Sequence, residues 1–297
     1  NDCPWEKDVE DVQKVCDKLE IEFRSFNFEQ EYRDKVIEYF FAEYAAGRTP
    51  NPDIMCNKEI KFGLFLDKAI GLGFDYIATG HYAGIGITNH ESGIRKFELL
   101  KGVDPKKDQS YFLYTLNQEQ LSRSLFPIGE YTKIQVRELA REFGLPNAEK
   151  KDSQGLCFIG HINLRQFLKQ RLPERVGKIV DASGRVIGTH PGAWYFTIGQ
   201  RHGLRVGGGK PYYVAQKDII GNRLTVTRME YAGLVHHTQA KINDIHWINK
   251  THELPFKCKA KIRYQQAEQN CTIRRCEKQG TDTLAVEFSE PQFAPAP

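Results

Sequence analysis

Asp75-Tyr76-Ile77-Ala78-Thr79, followed at once by Gly80-His81-Tyr82, is the stretch on which the fold turns. The first five residues read as a buried strand, with glycine and histidine at its carboxyl end. Helical periodicity precedes it. Trp5, Val9, Val12, Cys16 and Leu19 predict a helix over 6–19. Val36, Ile37, Phe40, Phe41 and Tyr44 predict another over 30–46, stopped by Gly47, and a third covers 58–70 before Gly71 and Gly73. Residues 21–28 read as a short strand and loop. Further helices are expected at 109–122 and 132–143, the second closed by Gly144 and Pro146. Helix, strand and loop in this order describe an α/β domain with a mostly parallel sheet. Ligands of such sheets bind outside the carboxyl ends of strands, which places Gly80 and His81 where chemistry happens.

From Gly177 the pattern changes. Lys178-Ile179-Val180, Arg185-Val186-Ile187, Trp194-Tyr195-Phe196-Thr197, Tyr212-Tyr213-Val214-Ala215 and Leu224-Thr225-Val226-Thr227 are short β-rich runs between turn residues. Another β-rich block begins near Gln239. The expected division is an α/β domain over 1–163, a small mixed domain over 164–233 and part of a β-barrel over 234–297.

A chain of 297 residues with 40% hydrophobic and 27% charged residues has room for two or three such domains and is not broadly disordered. No apolar run approaches the length of a membrane-spanning helix. Seven cysteines without a dense framework point to a reducing compartment. Residues 1–60 hold fifteen Asp/Glu against eight Lys/Arg, a balance of −7, so the net +4 leaves +11 for the remainder. That skew fits a polyanionic partner and equally an ordinary solvated surface.

Several segments carry groups suited to chemistry. In Thr49-Pro50-Asn51-Pro52-Asp53-Ile54-Met55-Cys56-Asn57-Lys58-Glu59 two prolines fix an extended loop, and Asn57 is read as the cap of a helix starting at Lys58. A thiol at such a helix start has its thiolate favoured, and Asp53 stands three residues away for proton exchange. The alternative is that Cys56 is a small buried hydrophobe in an ordinary turn. In Lys150-Lys151-Asp152-Ser153-Gln154-Gly155-Leu156-Cys157-Phe158-Ile159-Gly160 a polar loop delivers Cys157, with two lysines upstream to favour its thiolate. No Cys-x-x-Cys occurs, so zinc is a poor reading and no metal ligand is assigned. Lys106-Lys107-Asp108-Gln109-Ser110-Tyr111-Phe112 is basic and polar at a helix entrance, suited to phosphate or merely to capping. Gly199-Gln200-Arg201-His202-Gly203 and Gly207-Gly208-Gly209-Lys210 are flexible and cationic. Arg263-Tyr264, read as lying in a strand with Lys257, Lys259 and Lys261, pairs a guanidinium with a ring able to stack on a base.

Taken together these segments resemble the tRNA-specific 2-thiouridylases of the MnmA/TrmU type. The resemblance rests on residues 49–62, on Ala-Thr-Gly-His-Tyr-Ala at 78–83, on 107–113, on 151–160 and on Thr-Ile-Gly-Gln-Arg-His-Gly-Leu at 197–204. It implies a PP-loop ATPase-like parallel-sheet domain, a small central domain and a partial C-terminal β-barrel. It also implies a tRNA-uridine 2-sulfurtransferase of the wobble position. ATP, with Mg2+, adenylates the C2 oxygen, and a persulfide on Cys157 brings sulfur from a sulfur-relay protein or cysteine desulfurase. Cys56 then resolves that persulfide, leaving a Cys56–Cys157 disulfide, with Asp53 as acid/base. By the same resemblance Asn51, Pro52 and Asp53 contact the target base and Gly80 the nucleotide. His81, Lys107, Asp108, Gln109, Arg263 and Tyr264 contact tRNA. A cytoplasmic enzyme without a membrane partner is expected, with an organellar one left open.

Two departures accompany the resemblance. The family opens with a Ser-Gly-Gly-x-Asp-Ser loop, whereas the first glycine here is Gly47. The family's barrel also continues further, so the α/β domain is expected to lack its first strand and phosphate loop, and both ends to be truncated. Rival readings are a non-catalytic tRNA-binding fragment, which would bind tRNA without thiolating it, and a two-cysteine thiol oxidoreductase, which would need neither ATP nor RNA.

Overall fold

The computed structural model describes residues 4–89, 95–150, 163–207, 209–249, 251–276 and 283–295. They form two compact units. The first takes its described residues from 4–37, 52–150 and 246–249, the second from 38–51, 163–245 and 251–295.

In the first unit the opening helix is Pro4–Leu19, and residues 21–28 are irregular rather than a strand. Glu29–Tyr32 and Arg33–Ile37 then run directly into Glu38–Ala45, the part of the same helix that belongs to the second unit. The next helix starts earlier than expected. Pro52–Met55, Cys56–Phe65 and Leu66–Gly71 are consecutive, so Pro52 is a first-turn proline, a place where its missing N–H is no loss.

Strand β1 is short, Ile77–Ala78, with only Ile77 buried. A hairpin follows, β2 (Ala83–Asn89) and β3 (Arg95–Lys101), antiparallel from Ala83↔Lys101 to Asn89↔Arg95. Strand β4 (Ser124–Leu125) pairs with β1 in parallel, Ile77↔Ser124 and Ala78↔Leu125, and Thr79 N–H donates to the Leu125 carbonyl just beyond. This is the parallel pairing expected of an α/β domain. The helix expected over 109–122 is instead a 3-10 turn, Ser110–Phe112, and a separate helix, Gln118–Ser122, started by a capping box between Asn117 and Gln120. A second capping box, Thr132 with Gln135, starts Lys133–Glu142. Phe62, Leu66, Ile77, Ala83, Leu113, Leu116, Leu121 and Phe126 form the core, against which Ile248 packs from far along the chain.

The second unit holds two sheets. Strands β5 (Gly177–Val180), β6 (Val186–His190), β7 (Tyr212–Asp218) and β8 (Arg223–Arg228) lie in the order β6-β5-β8-β7, with β5 and β8 parallel. Ile179, Val214, Leu224 and Val226 are fully buried between Ala193, Phe196 and Leu204. The run at 194–197 is not a strand but contributes to the 3-10 turn Ala193–Tyr195. Strands β9 (His236–Ile242), β10 (Phe256–Ala260), β11 (Gln269–Arg275) and β12 (Leu284–Phe293) form an antiparallel sheet ordered β10-β11-β12-β9, open among the described residues. The helical segment 38–45 packs Phe40 and Phe41 on Phe167, and Glu38 pairs with both guanidinium nitrogens of Arg171. Gly47, at φ +79°, lies where any Cβ would enter Ile219.

Candidate active site

Three of the segments singled out in the sequence meet in the first unit. The helix from Pro52 carries Cys56 one turn in, with no exposed surface, so the thiol is not at the exposed helix start that the sequence suggested. Asn57, read as a cap, is buried instead and donates from Nδ2 to the Phe112 carbonyl at 3.1 Å. Phe62, further along the same helix, accepts a bond from Gln120 at its carbonyl and lies 5.7 Å from the His81 ring.

His81 follows the parallel pair. Its ring is buried between Phe62 and Phe126, and Nδ1 is 2.8 Å from the Thr79 hydroxyl. Burial, reinforced by the positive charge of Lys61, pushes its pKa down to about 3. The imidazole is therefore neutral at physiological pH and supplies no cation. Gly80 is exposed, and a Cβ there would meet only Ile128 Cδ1 at 4.0 Å, so a ligand has room to approach its backbone.

The loop at 104–110 is built by its own carboxylates. Asp108, buried, accepts at Oδ1 from the Gly102 amide and from the amide and hydroxyl of Ser110. Asp104 accepts from the Lys133 and Lys106 amides, which hold its pKa below the usual carboxylate range. Gln109 exchanges two hydrogen bonds with Tyr82, one through its side chain and one through its backbone. Lys106 is exposed and Lys107 half-buried on this frame. Cationic side chains thus stand on a carboxylate-braced loop beside the carboxyl end of β1.

Cys157 and the rest of 151–160 lie outside the described residues. Lys150, the described neighbour of that segment, is ion-paired. Its ammonium is bound by Asp8 and Asp11 at 2.6 and 2.7 Å, so its charge is already compensated.

In the second unit Thr49 and Thr197 share a hydroxyl–hydroxyl bond of 2.9 Å, joining the approach to Asn51 to the segment 197–204. Lys217 donates to the neighbouring Phe196 carbonyl at 2.7 Å, and burial pushes its pKa down to about 8. Arg263 and Tyr264 lie in the connection between β10 and β11 rather than within a strand. The Arg263 guanidinium donates to the Ile198 and Ala294 carbonyls at 3.2 and 2.7 Å, a structural tie that sequence alone does not disclose.

The chain matches the family described as tRNA methyl transferase HUP domain over residues 1–161. It further matches a tRNA methyl transferase PRC-barrel domain over 165–228 and an aminomethyltransferase beta-barrel domain over 237–297. It is 47% identical to the tRNA-specific 2-thiouridylase MnmA of Alkaliphilus oremlandii (strain OhILAs), across 99% of this chain and 80% of that protein. The protein of the same name from Bacillus cereus (strain ATCC 10987 / NRS 248) is 46% identical across 99% of this chain and 78% of its own. The chain belongs to the tRNA-specific 2-thiouridylase family.

Asn57 in the first unit and the Thr49–Thr197 pair in the second make tertiary hydrogen bonds that neither segment discloses by itself. Their signal was present only as membership of the motifs at 49–62 and 197–204. Nothing in the local pattern around Lys217 marks it as buried. Among the described residues no helix is long and apolar enough to cross a membrane.

Proposed function

We propose that this chain is a tRNA-uridine 2-sulfurtransferase that thiolates the wobble uridine of tRNA. The observation carrying this reading is the meeting of three motif segments in one unit. Asn57 binds Phe112, Phe62 faces His81, and Gln109 binds Tyr82, all within reach of the helix that carries Cys56. The family profiles are described by methyl transfer and the relatives by thiolation. The second chemistry is favoured because sulfur delivery needs thiols to carry it, and methyl transfer does not.

Replacing a carbonyl oxygen by sulfur requires an activated oxygen and a sulfur nucleophile. ATP, accompanied by Mg2+, supplies the activation by adenylating the C2 oxygen. Gly80, with open space where a side chain would be, would lie against the nucleotide. Cys157 would receive a persulfide from an external donor. Its outer sulfur bonds to C2, the Cys56 thiolate attacks the inner sulfur, and AMP leaves with the former C2 oxygen, so a Cys56–Cys157 disulfide remains for an external thiol to reduce. Asp53 would move the proton, and Asn51, Pro52 and Asp53 would hold the extruded base. His81, Lys107, Asp108, Gln109, Arg263 and Tyr264 form the proposed tRNA contacts. Lys107 offers charge and Tyr264 a ring for stacking, while the buried Asp108 acts by holding the Gly102 and Ser110 amides and the buried His81 by packing between Phe62 and Phe126. We further assign the three domains to 1–163, 164–233 and 234–297, and place the enzyme in the cytoplasm.

The test is thiouridine formation, by mass spectrometry of digested tRNA, with ATP and a persulfide donor present, for the chain extended by the family's Ser-Gly-Gly-x-Asp-Ser loop. Cys56→Ser and Cys157→Ser should each abolish it while tRNA binding persists. Thiolation surviving both substitutions would overturn the assignment of the two thiols.

A further inference from the structure

Cys258 in β10 and Cys271 in β11 are direct cross-strand partners, with their Sγ atoms 3.5 Å apart. Both are reduced. Register places Phe256 and Ala260 on the Cys258 side of its strand and Ile273 on the Cys271 side of the other, so the two thiols share the inward face. Cys271 is buried and Cys258 half-buried. Burial, reinforced by the hydrogen bond to Cys258, pushes the Cys271 thiol up to about 12. At neutral pH a reagent in solution therefore meets Cys258 first, and Cys271 follows.

We propose that Cys258 and Cys271 form a redox-active dithiol that low-molecular-weight disulfides convert into a reversible cross-strand disulfide. The Cys258 thiolate attacks one sulfur of the reagent, forming a mixed disulfide and releasing one thiol. Cys271, giving its proton to solvent, then attacks Cys258 Sγ and expels the second thiol. The protein loses two hydrogens and the reagent disulfide is reduced to two thiols.

Geometry favours the second step. Closing from 3.5 Å to the ~2.05 Å of an S–S bond needs about 1.5 Å of movement between side chains that already face each other. Positions directly opposite in an antiparallel pair hold their Cβ atoms about 4.5–5.5 Å apart. A relaxed disulfide holds them at about 3.8 Å, which a small approach of the two strands supplies. It would fasten the two strands on either side of the connection bearing Arg263 and Tyr264.

The test incubates the reduced full chain in graded mixtures of oxidised and reduced glutathione, followed by acid quench, alkylation and non-reducing peptide mapping. A linked peptide pair containing Cys258 and Cys271, lighter by two hydrogens and reversed by dithiothreitol, is expected. It should form at a lower oxidised fraction than any adduct at the half-buried Cys16 or Cys276. Cys271→Ser should trap glutathione on Cys258, and Cys271→Ala serves if the serine is not tolerated at that buried site. A stable glutathione adduct on Cys258 in the unaltered chain would overturn the proposal. So would both thiols remaining alkylated while Cys16 and Cys276 exchange.

Discussion

Gln109 and Tyr82 hold each other from both sides: the Tyr82 amide donates to Gln109 Oε1 at 2.9 Å, and the Gln109 amide donates to the Tyr82 carbonyl at 2.8 Å. The first bond satisfies a backbone donor in a buried residue. Gln109→Ala should lower stability by about 1–3 kcal/mol, the cost of leaving such a group unsatisfied. Gln109→Glu keeps the acceptor and should restore most of that stability, yet bind tRNA more weakly because it adds negative charge. Urea denaturation alongside tRNA titration of both variants separates these outcomes. Equal stability of the alanine variant would remove Gln109 as the brace of the 80–82 loop.

The buried His81 and the half-buried Lys217 give a pH dependence in separate windows. His81 has a folded pKa of about 3 against an ordinary 6.5, so the unfolded chain takes up its proton first as pH falls. Stability from this residue is complete above 6.5 and is lost on the way down toward 3, by at most about 1.4 kcal/mol per pH unit. Lys217, at about 8 against 10.5, disfavours folding while protonated, and stability should rise as pH climbs through that interval. Denaturation midpoints across pH should show a shallower acid slope in His81→Gln, with the buried His190 keeping part of it, and a weaker alkaline rise in Lys217→Met. Because His81 is neutral at pH 7, its replacement should leave the salt slope of tRNA binding unchanged.

Arg263 and Tyr264 adjoin in sequence but should separate in experiment. Removing the Arg263 guanidinium breaks its ties to Ile198 and Ala294, which should cost about 1.5–3 kcal/mol of stability as well as RNA affinity. Tyr264→Ala should weaken RNA binding by about 1–3 kcal/mol through lost stacking and leave the salt slope of binding unchanged, whereas Arg263→Ala should make that slope shallower. A binding titration across a salt series distinguishes them, and equal salt slopes would deny the division of labour.

Thr49 and Thr197 offer a measurable coupling. Each valine substitution should cost about 1 kcal/mol, and the pair less than their sum, because the second change has no bond left to break. Hydrogen exchange of the amides of Arg48, Thr49 and Asn51 should quicken equally in both single variants. Additive losses would make the hydroxyl contact incidental.

The thiol of Cys56 has no exposed surface. Alkylation of Cys56 should therefore lag behind that of Cys16 and Cys276 by more than tenfold, read by peptide mapping over time. Comparable rates would mean that the first turn of its helix opens freely.

Much of the fold was legible because its signals are local. Gly47 and Gly144 stop helices where expected, and the β-rich runs at 178–180 and 224–227 lie in β5 and β8. The start at Pro52 was misjudged because Asn57 has the chemistry of a cap, while its true partner, Phe112, is 55 residues away. The hairpin of β2 and β3 went unread because glycines at 84 and 86 alternate with its isoleucines, and glycine weakens a strand pattern. Trp194 to Thr197 has strand-forming residues but is turned by Gly192 at φ +155°. Motif residues could be gathered into one family reading, yet the dependence of Thr49 on Thr197, or Cys258 on Cys271, belongs to tertiary register and leaves no mark in either segment alone.

The return of residues 246–249 to the first unit sets an order of assembly during synthesis. His246 binds the Leu116 carbonyl, Gln118 binds the Ile248 carbonyl and the Asn249 side chain, and Ile248 joins the core of that unit. A ribosome that has just released residue 150 has delivered most of this unit but not its last piece. At roughly 5–20 residues per second, the missing piece emerges some 5–20 s later. Until then Gln118, Leu116 and the surface awaiting Ile248 are uncovered on the nascent chain. The unit that begins first is therefore finished only after all of β5 to β9 has been made, and a chaperone that shields the surface around Leu116 and Gln118 would act within that interval.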